Sequence, residues 1–162
     1  MKAFQDYYPD ELAHCFGCGR LNPEGHHLRS FWDGEETVAR FTPKPCHMAV
    51  PGFVNGGILA SLIDCHATGT ASAVAGRARG DPETDGGRRF VTASLRVDYL
   101  RPTPLGPELL LRGHGTAASD RKVVVEVTVS AGGETTVRGE VVCVELPTSM
   151  RVGPSPGDSP PA

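Results

Sequence analysis

Residues 54–69, VNGGILASLIDCHATG, decide the predicted fold of this chain. The stretch opens with the glycine pair Gly56-Gly57, continues into residues rich in Ile, Leu and Ala, and places an acid, Asp64, seven residues after Gly57. Glycine costs backbone entropy in a helix, and a carboxylate among apolar side chains risks burial without a partner. Two locally unfavourable choices in one helix indicate a functional use for both.

From Ile58 to about Ala78 the segment lacks proline and is predicted to be helical, and the helix is expected to end near Gly76. Two faces follow from the helical spacing, one mostly apolar and one of small residues that includes Asp64. Small residues let another backbone or a thin ligand come close, so Asp64 is a candidate functional residue. The apolar face contains Leu59, Leu62, Ile63, His66, Thr70 and Val74, and the small face contains Gly57, Ala60, Ser61, Asp64, Thr68 and Ala71.

Six segments with strand-like alternation flank the helix, two before it and four after it. The Asp33-Gly34 pair is a hairpin signal, and short turns such as AGG are typical of antiparallel neighbours. A mostly antiparallel sheet with one helix buried on it predicts an α+β fold. The predicted strands are HHLRSFW from His26, EETVARFTP from Glu35, FVTASLRVDYL from Phe90, ELLLRGHGTA from Glu108, RKVVVEVTVS from Arg121 and ETTVRGEVVCVEL from Glu134.

These elements predict one domain over residues 26–146. Residues 1–25 lack a periodic pattern and are expected to form an irregular segment that packs on this domain. Residues 147–162 are rich in proline and carry no core pattern, so they are expected to be a disordered tail.

Composition excludes several classes of function. Apolar residues make up 39% of the chain and charged residues 22%, and the net charge is −3, which gives no general attraction to nucleic acid or acidic membranes. The first residues have no apolar core typical of a signal peptide, and no run approaches the roughly 18 apolar residues of a membrane span. The expected location is cytoplasmic, with no nucleic acid and no membrane as partner.

Three pieces of the chain resemble the hotdog-fold thioesterases of the PaaI-like type. They are Asn55-Gly56-Gly57, Asp64 and the strand VTASLRVDYLRP at 91–102; the segment CFGCGRLNPEGHHL at 15–28 also resembles the start of many small members. The resemblance implies a curved antiparallel β-sheet wrapped around one long central helix, assembled as a homodimer or a homotetramer (a dimer of dimers). It also implies hydrolysis of acyl-CoA thioesters without a cofactor, coenzyme A being part of the substrate.

The helix start offers a site for negative charge. The first amides of a helix have no intrahelical acceptor and the macrodipole is positive there, so the Gly57 amide, with Gly56 beside it, is predicted to hold the oxyanion. Asp64 is predicted to act as general base or as nucleophile. At the standard rise it lies about 10 Å from Gly57, too far for both to touch one carbonyl. The resemblance implies that Asp64 of the partner subunit completes the site.

Asn55 stands where many family members have histidine. Asparagine still forms hydrogen bonds and is a good N-cap, but it does not titrate near neutral pH. His47, in the loop before the helix, and His66 are possible replacements and candidate substrate-binding residues. His66 falls on the leucine face, so ordinary packing explains it as well.

The strand after the helix contributes three further candidates. The resemblance implies that Thr92 helps to orient the attacking water. Thr92 and Ser94 are predicted to share a face with Arg96 and Asp98, for which a polar outer face is the simpler explanation. Arg101 follows this strand and is a candidate for the phosphates of coenzyme A, because a guanidinium can bind phosphate through two parallel hydrogen bonds.

The five cysteines are expected to be mostly free thiols. Cys15-x-x-Cys18 is half of a zinc site, and Cys46-His47 could supply the rest. The alternative is a turn with two small buried thiols. Because a second such pair is absent from the sequence, we expect no metal.

Two other functions stay open. A hotdog-fold acyl-thioester dehydratase or hydratase pairs an acid with a nearby histidine, and His66 close to Asp64 fits that pattern. A non-catalytic acyl-thioester binding module would fit the replacement of histidine by Asn55. The acyl group, the choice between coenzyme A and acyl-carrier-protein thioesters, and the choice between dimer and tetramer stay open as well.

Overall fold

In the part of the chain that the structure describes, the fold consists of one antiparallel sheet with one long helix on its face. The computed structural model describes residues 2–81 and 88–150. Apart from short 3-10 turns, the elements within these residues are β1 (Ser30–Asp33), β2 (Glu36–Phe41), α1 (Gly56–Arg79), β3 (Phe90–Tyr99), β4 (Leu109–Ser119), β5 (Lys122–Ala131) and β6 (Glu134–Glu145).

The six strands lie in the order β1-β2-β4-β5-β6-β3, and all neighbouring pairs are antiparallel. Helix α1 packs against β3, β4, β5 and β6 on one face of the sheet. The alternating valines of β5 point into this layer and are almost completely buried. They are Val123, Val125, Val127 and Val129. The predicted α+β hotdog architecture is confirmed.

The first strand is shorter than predicted and begins at Ser30 rather than at His26. His27 has a positive φ of 54°, which interrupts the extended backbone. The amides of His26 and Leu28 donate to the carbonyls of Phe16 and Gly17 instead of to a neighbouring strand. The segment therefore binds the N-terminal loop, a tertiary contact that local alternation cannot reveal.

Helix α1 begins at Gly56 and continues to Arg79, three residues beyond the predicted end at Gly76. The terminator is Gly80, which adopts a left-handed conformation with φ of 71° and donates its N–H to the carbonyls of Arg77 and Gly76. Glycine suits this position because other side chains are strained there. Residues 82–87 lie outside the described residues.

The N-terminal segment packs on the domain through small and aromatic side chains. Ala3, Tyr8 and Ala13 are buried, and the guanidinium of Arg89 stacks on the Tyr8 ring with a separation of 3.3 Å. Short 3-10 turns at Phe4–Tyr7 and Asp10–Leu12 give the segment its irregular path. In the predicted tail, Thr148–Met150 forms a 3-10 turn, and residues 151–162 lie outside the described residues.

By length and composition alone, helix α1 is long and apolar enough to cross a membrane, so the expectation that no stretch approaches a membrane span was wrong. Its setting in the fold explains why it is so apolar. Of the most apolar 18-residue stretch of this helix, 61% is buried inside the protein. Leu62 and Ile63 are completely buried against the sheet. A core helix that carries the inner layer of a domain has the same composition.

Candidate active site

Asn55 caps helix α1. Its backbone is extended, and its side-chain Oδ1 accepts hydrogen bonds from the Gly57 amide at 2.8 Å and the Ile58 amide at 3.4 Å. Its own N–H donates to the carbonyl of His47 at 2.8 Å, which fixes the cap to the preceding loop. The N-cap role predicted for Asn55 is therefore what the structure shows.

This cap engages the amide that was predicted to hold an oxyanion. The Gly57 N–H points at Asn55 Oδ1, so a side-chain oxygen occupies the position that an anionic ligand oxygen would take at the positive end of the helix. A ligand must displace this oxygen by rotating the Asn55 side chain, or bind the neighbouring Gly56 amide. Cap and oxyanion donor are alternative uses of one N–H group.

The side chain of Tyr99 lies so close to Gly56 that a larger residue would be crowded there, a contact that the sequence did not reveal. The Tyr99 hydroxyl donates to the Gly56 carbonyl at 2.7 Å, and a Cβ atom added at Gly56 would lie 3.2 Å from the Tyr99 ring. Tyr99 therefore covers the first turn of the helix. Further large apolar side chains are exposed in the preceding loop and at the end of β3. They are Met48, Val50, Phe53 and Leu100.

Asp64 forms a pair with Thr92. The Thr92 hydroxyl donates to Asp64 Oδ1 at 2.5 Å, and both side chains are half-buried between α1 and β3. Burial raises the pKa of the Asp64 carboxyl, the hydrogen bond from Thr92 opposes this rise, and negative charge at Cys15 adds to it. A carboxylate whose pKa lies above its usual range is suited to accept a proton near neutral pH.

A bulge in β3 explains how Thr92 reaches Asp64. Thr92 is opposite Cys143 on β6 but Ser94 is opposite Val142, so the register shifts at Ala93. Such an extra residue moves the following side chains to the other face. The prediction that Thr92 and Ser94 share one face is therefore wrong: Thr92 points to the helix, as does the buried Cys143, whereas Ser94 is exposed on the outer face.

His66 lies outside this site. It is completely buried; its Nδ1 is 2.9 Å from the Ser30 hydroxyl and its Nε2 is 3.2 Å from the Thr37 hydroxyl. Burial lowers the pKa of His66 to about 4, so the ring is neutral near pH 7. Two residues along a helix place it on the face opposite Asp64. Its predicted role in substrate binding does not fit this position; it is a packed core histidine.

His47 is buried in an aromatic cluster before the helix. Its ring stacks on Phe41, lies 5.1 Å from His26, and accepts at Nδ1 a hydrogen bond from the Lys44 amide at 3.0 Å. Burial and the nearby Lys44 charge lower the pKa of His47. Its backbone carbonyl holds the N–H of Asn55, so its clearest contribution is to position the helix cap.

Arg101 lies on the surface after β3, where its Nη1 donates to Glu134 Oε2 at 3.0 Å. Both side chains are largely exposed, and such pairs contribute little to stability. The guanidinium can therefore exchange this carboxylate for another anion at low cost.

A group of three thiols lies next to Asp64. The sulfur atoms of Cys15, Cys18 and Cys65 are all within 4.8 Å of one another. Sequence reasoning had paired the first two with Cys46-His47, and it missed Cys65 because that residue comes from the helix.

The cap gives a direct stability prediction. Asn55→Ala should lower the free energy of unfolding by about 1 kcal/mol, because the amides of Gly57 and Ile58 lose their acceptor. Asn55→Ser, which keeps a capping oxygen, is the matched control and should stay close to wild type. Urea unfolding followed by circular dichroism measures both. Equal stability of all three proteins would contradict a capping role.

Comparisons with known proteins place this chain in a family. A model of the thioesterase superfamily matches residues 51–138, more than half of the chain, and this match contains Asn55, Asp64 and Thr92. Acyl-coenzyme A thioesterase THEM4 of Mus musculus is 29% identical over 110 residues, which are 68% of this chain and 42% of THEM4. The chain therefore spans less than half the length of this curated relative.

Two solved structures show the same fold. A thioesterase superfamily protein from Shewanella loihica is 47% identical, with a TM-score of 0.66 and coverage of 86% of this chain and 100% of that chain. The PaaI protein from the phenylacetic acid degradation operon of E. coli is 15% identical, with a TM-score of 0.61 and coverage of 75% of this chain and 81% of that one. At this identity PaaI shows the fold alone.

Proposed function

This chain belongs to the thioesterase superfamily, and from that premise we propose that it hydrolyses an acyl-CoA thioester to a free acid and coenzyme A. The name of the mouse relative supports coenzyme A as the thiol part of the substrate. The observation that carries the proposal is the Asp64–Thr92 pair on the helix whose N-terminus holds Gly56 and Gly57. The carboxylate can activate water or attack the thioester, and the helix start can stabilise the oxyanion; thioester hydrolysis needs both functions.

Asp64 activates the attacking water or attacks the thioester carbonyl itself. Its half-buried position raises the pKa of the carboxyl, which makes it a better proton acceptor than an exposed aspartate. Thr92 is a positioning residue, because its hydroxyl fixes one carboxylate oxygen and leaves the other for the reaction. Direct attack would form an anhydride and release the thiolate of coenzyme A, and water would then hydrolyse the anhydride.

The helix start stabilises the oxyanion. As negative charge develops on the carbonyl oxygen, that oxygen competes with Asn55 Oδ1 for the Gly57 N–H, and the Asn55 side chain rotates away. The Gly56 amide lies beside it and adds a second donor. Asn55 thus caps the helix in the free protein and gives up one hydrogen bond when the oxyanion forms.

The site is shared between two subunits in this proposal. Gly57 and Asp64 are seven residues apart on one helix, about 10 Å at the standard rise, so one chain cannot bring both to one carbonyl. β3 is an edge strand of the sheet, and apolar side chains such as Tyr99 and Leu100 are exposed where it ends beside the helix start. A second copy covering this region would bring Asp64 of the partner subunit to the helix start.

Subunit mixing tests this sharing. Chains carrying Asp64→Asn and chains carrying Gly57→Pro, which removes the amide donor, are each expected to be inactive. Co-expression in equal amounts should restore about a quarter of the wild-type rate, because half of the dimers carry one intact site out of two. Circular dichroism and gel filtration establish that each variant folds and assembles. Mixed dimers without any recovered rate would place the whole site in one chain.

Arg101 is proposed to bind a phosphate of coenzyme A by exchanging Glu134 for that anion. The proposed cellular location is the cytoplasm, where acyl-CoA substrates are available.

A non-catalytic acyl-thioester binding module is the second candidate function. One observation favours it: the Gly57 N–H already has an acceptor in Asn55 Oδ1, so the oxyanion must displace an existing hydrogen bond. The dehydratase or hydratase alternative rested on a histidine close to Asp64. His66 does not provide one, because it is buried on the opposite face of the helix from Asp64.

Thiol release distinguishes hydrolysis from binding. Purified protein is mixed with short, medium, long and aromatic acyl-CoAs, and the released thiol is followed with DTNB. A trace without substrate is subtracted, because the exposed Cys15 and Cys46 also react with the reagent. Catalytic release from at least one acyl-CoA supports hydrolysis. Tight coenzyme A binding by calorimetry with no release from any substrate would favour the binding module.

Thr92 gives a further prediction. Thr92→Val should lower kcat/KM about 10-fold, because a hydrogen bond to a charged carboxylate is worth about 1.5 to 3 kcal/mol and its loss leaves Asp64 less well oriented. The acid limb of the pH–rate profile should also move to higher pH, since this bond opposes the rise in the pKa of Asp64.

Thr92→Ser is the matched control because it keeps the hydroxyl, and it should recover most of the rate. If valine and serine variants lose rate equally, the hydroxyl has no positioning role and packing explains the effect.

A further inference from the structure

The N-terminal turn and helix α1 bring three thiols to one place. The sulfur atoms of Cys15, Cys18 and Cys65 lie within 4.8 Å of one another, and those of Cys15 and Cys65 are 3.6 Å apart. Cys18 and Cys65 are buried, whereas Cys15 is exposed. From this arrangement we propose that the three thiols form a binding site for a thiophilic metal ion of the zinc type, independent of the proposed hydrolysis.

The sulfur spacing fits a tetrahedral metal ion. Zinc binds thiolate sulfur at about 2.3 Å, so two sulfurs on one tetrahedral ion are about 3.8 Å apart. The 3.6 Å between Cys15 and Cys65 is close to this edge length. A disulfide would require about 2.05 Å, and all three cysteines are free thiols here. The donors therefore need only a small adjustment to enclose an ion.

The turn is built so that its sulfurs converge on the helix. The Gly19 amide donates to the Cys15 carbonyl at 2.8 Å and closes the turn. A Cβ atom added at Gly17 would lie 2.2 Å from the Cys65 sulfur, and one added at Gly19 would lie 2.4 Å from the Cys15 nitrogen. Glycine at both positions is therefore needed for this close approach. A turn that merely buried two thiols would not require contact with the third sulfur.

The donor set selects the class of ion. Thiolates are soft ligands that prefer Zn²⁺ or Cu⁺, whereas Mg²⁺ and Ca²⁺ require oxygen. Three thiolates around Zn²⁺ leave one net negative charge on the site. The exposure of Cys15 leaves an approach from solvent and a fourth position for water.

The third donor differs from the one that the sequence suggested. Cys46 is exposed and the His47 ring stacks on Phe41, and neither belongs to the thiol group. Cys65 supplies the third sulfur from α1, one residue after Asp64. A bound ion would therefore cross-link the N-terminal turn to the helix beside the candidate catalytic acid.

Metal content gives the first test. The protein is purified without a metal-affinity step, reduced, incubated with excess Zn²⁺ and gel-filtered, and mass spectrometry should find about one zinc per chain. Incubation with Co²⁺ instead should produce a thiolate-to-cobalt charge-transfer absorption. Cys15→Ser alters an exposed position, so it should fold and lose both signals. Cys46→Ser, exposed, and Cys143→Ser, buried, are matched controls that should keep both.

A measurement on the wild-type protein avoids any doubt about variant folding. Zn²⁺ should slow the reaction of Cys15 with DTNB at least 10-fold while Cys46 stays reactive, and EDTA should restore the fast reaction. The proposal is overturned if the folded wild type retains no zinc and shows no cobalt absorption, if Cys15→Ser retains the ion, or if Cys46→Ser loses it. The last result would mean a different set of donors.

Discussion

Asp64→Asn is expected to lower kcat/KM for the best acyl-CoA substrate about 1,000-fold, which corresponds to about 4 kcal/mol of transition-state stabilisation. The amide has the same shape and can still accept the hydrogen bond from Thr92, but it can neither accept a proton from water nor attack the thioester. Most of the loss should appear in kcat, with KM little changed, because the carboxylate acts in the reaction and not in binding.

The stability of this variant separates chemistry from folding. Burial raises the pKa of Asp64, so the folded protein carries an unfavourable half-buried charge. Replacing that charge by a neutral amide should leave the free energy of unfolding unchanged or raise it at pH 7. A large loss of rate together with undiminished stability would therefore come from the missing carboxylate.

Asp33→Asn is the matched control. Asp33 ends β1, at the sheet edge opposite β3, and its exposed carboxylate pairs with Arg112 at 3.0 Å. This substitution removes one aspartate charge far from Thr92 and should leave the rate near wild type. Full hydrolysis by Asp64→Asn would remove Asp64 from the mechanism, and equal losses in the two variants would point to a general charge effect.

Most of the fold could be predicted because its signals are local. The alternating valines of β5 and the apolar face of α1 follow from periods of 2 and 3.6 residues, and both faces are buried except for the partly buried Val74. The start of β1 could not be predicted, because His26 and Leu28 hydrogen-bond to the N-terminal loop. The bulge at Ala93 could not be predicted either, since a single extra residue leaves the composition of the strand unchanged.

For the candidate site, the sequence suggested individual residues but not the contacts between them. Asn55 was predicted as an N-cap, which the structure shows, and Gly57 was predicted as an oxyanion donor, a role that would use the same N–H group as the cap. Thr92 was expected near the reaction, and the structure shows that its hydroxyl is bonded to Asp64. Cys65 joins Cys15 through tertiary packing over fifty residues of sequence, for which spacing gives no signal.

Acid is expected to destabilise this protein through His66. The folded pKa is about 4 because the ring is completely buried, whereas the ordinary value is 6.5. Between these two pH values the unfolded chain binds a proton that the folded chain refuses, so the free energy of unfolding falls as pH falls through this window. By pH 4.5 this one group should have removed roughly 2 to 3 kcal/mol relative to pH 7.5.

His66→Gln isolates this effect, because glutamine keeps a polar side chain but does not titrate. At pH 7.5 the variant should be less stable than wild type, since one amide cannot satisfy Ser30 and Thr37 as the two ring nitrogens do. Its stability should then fall less on acidification, so the two curves approach each other towards pH 4.5. Urea unfolding at pH 7.5, 5.5 and 4.5 measures the difference in stability between the two proteins, and the contributions of other acid-sensitive groups cancel in this difference.

His114→Gln, at an exposed position on β4, is the matched control and should follow the wild-type curve. A difference between wild type and His66→Gln that stays constant with pH would show that His66 is not the group that binds the proton on unfolding.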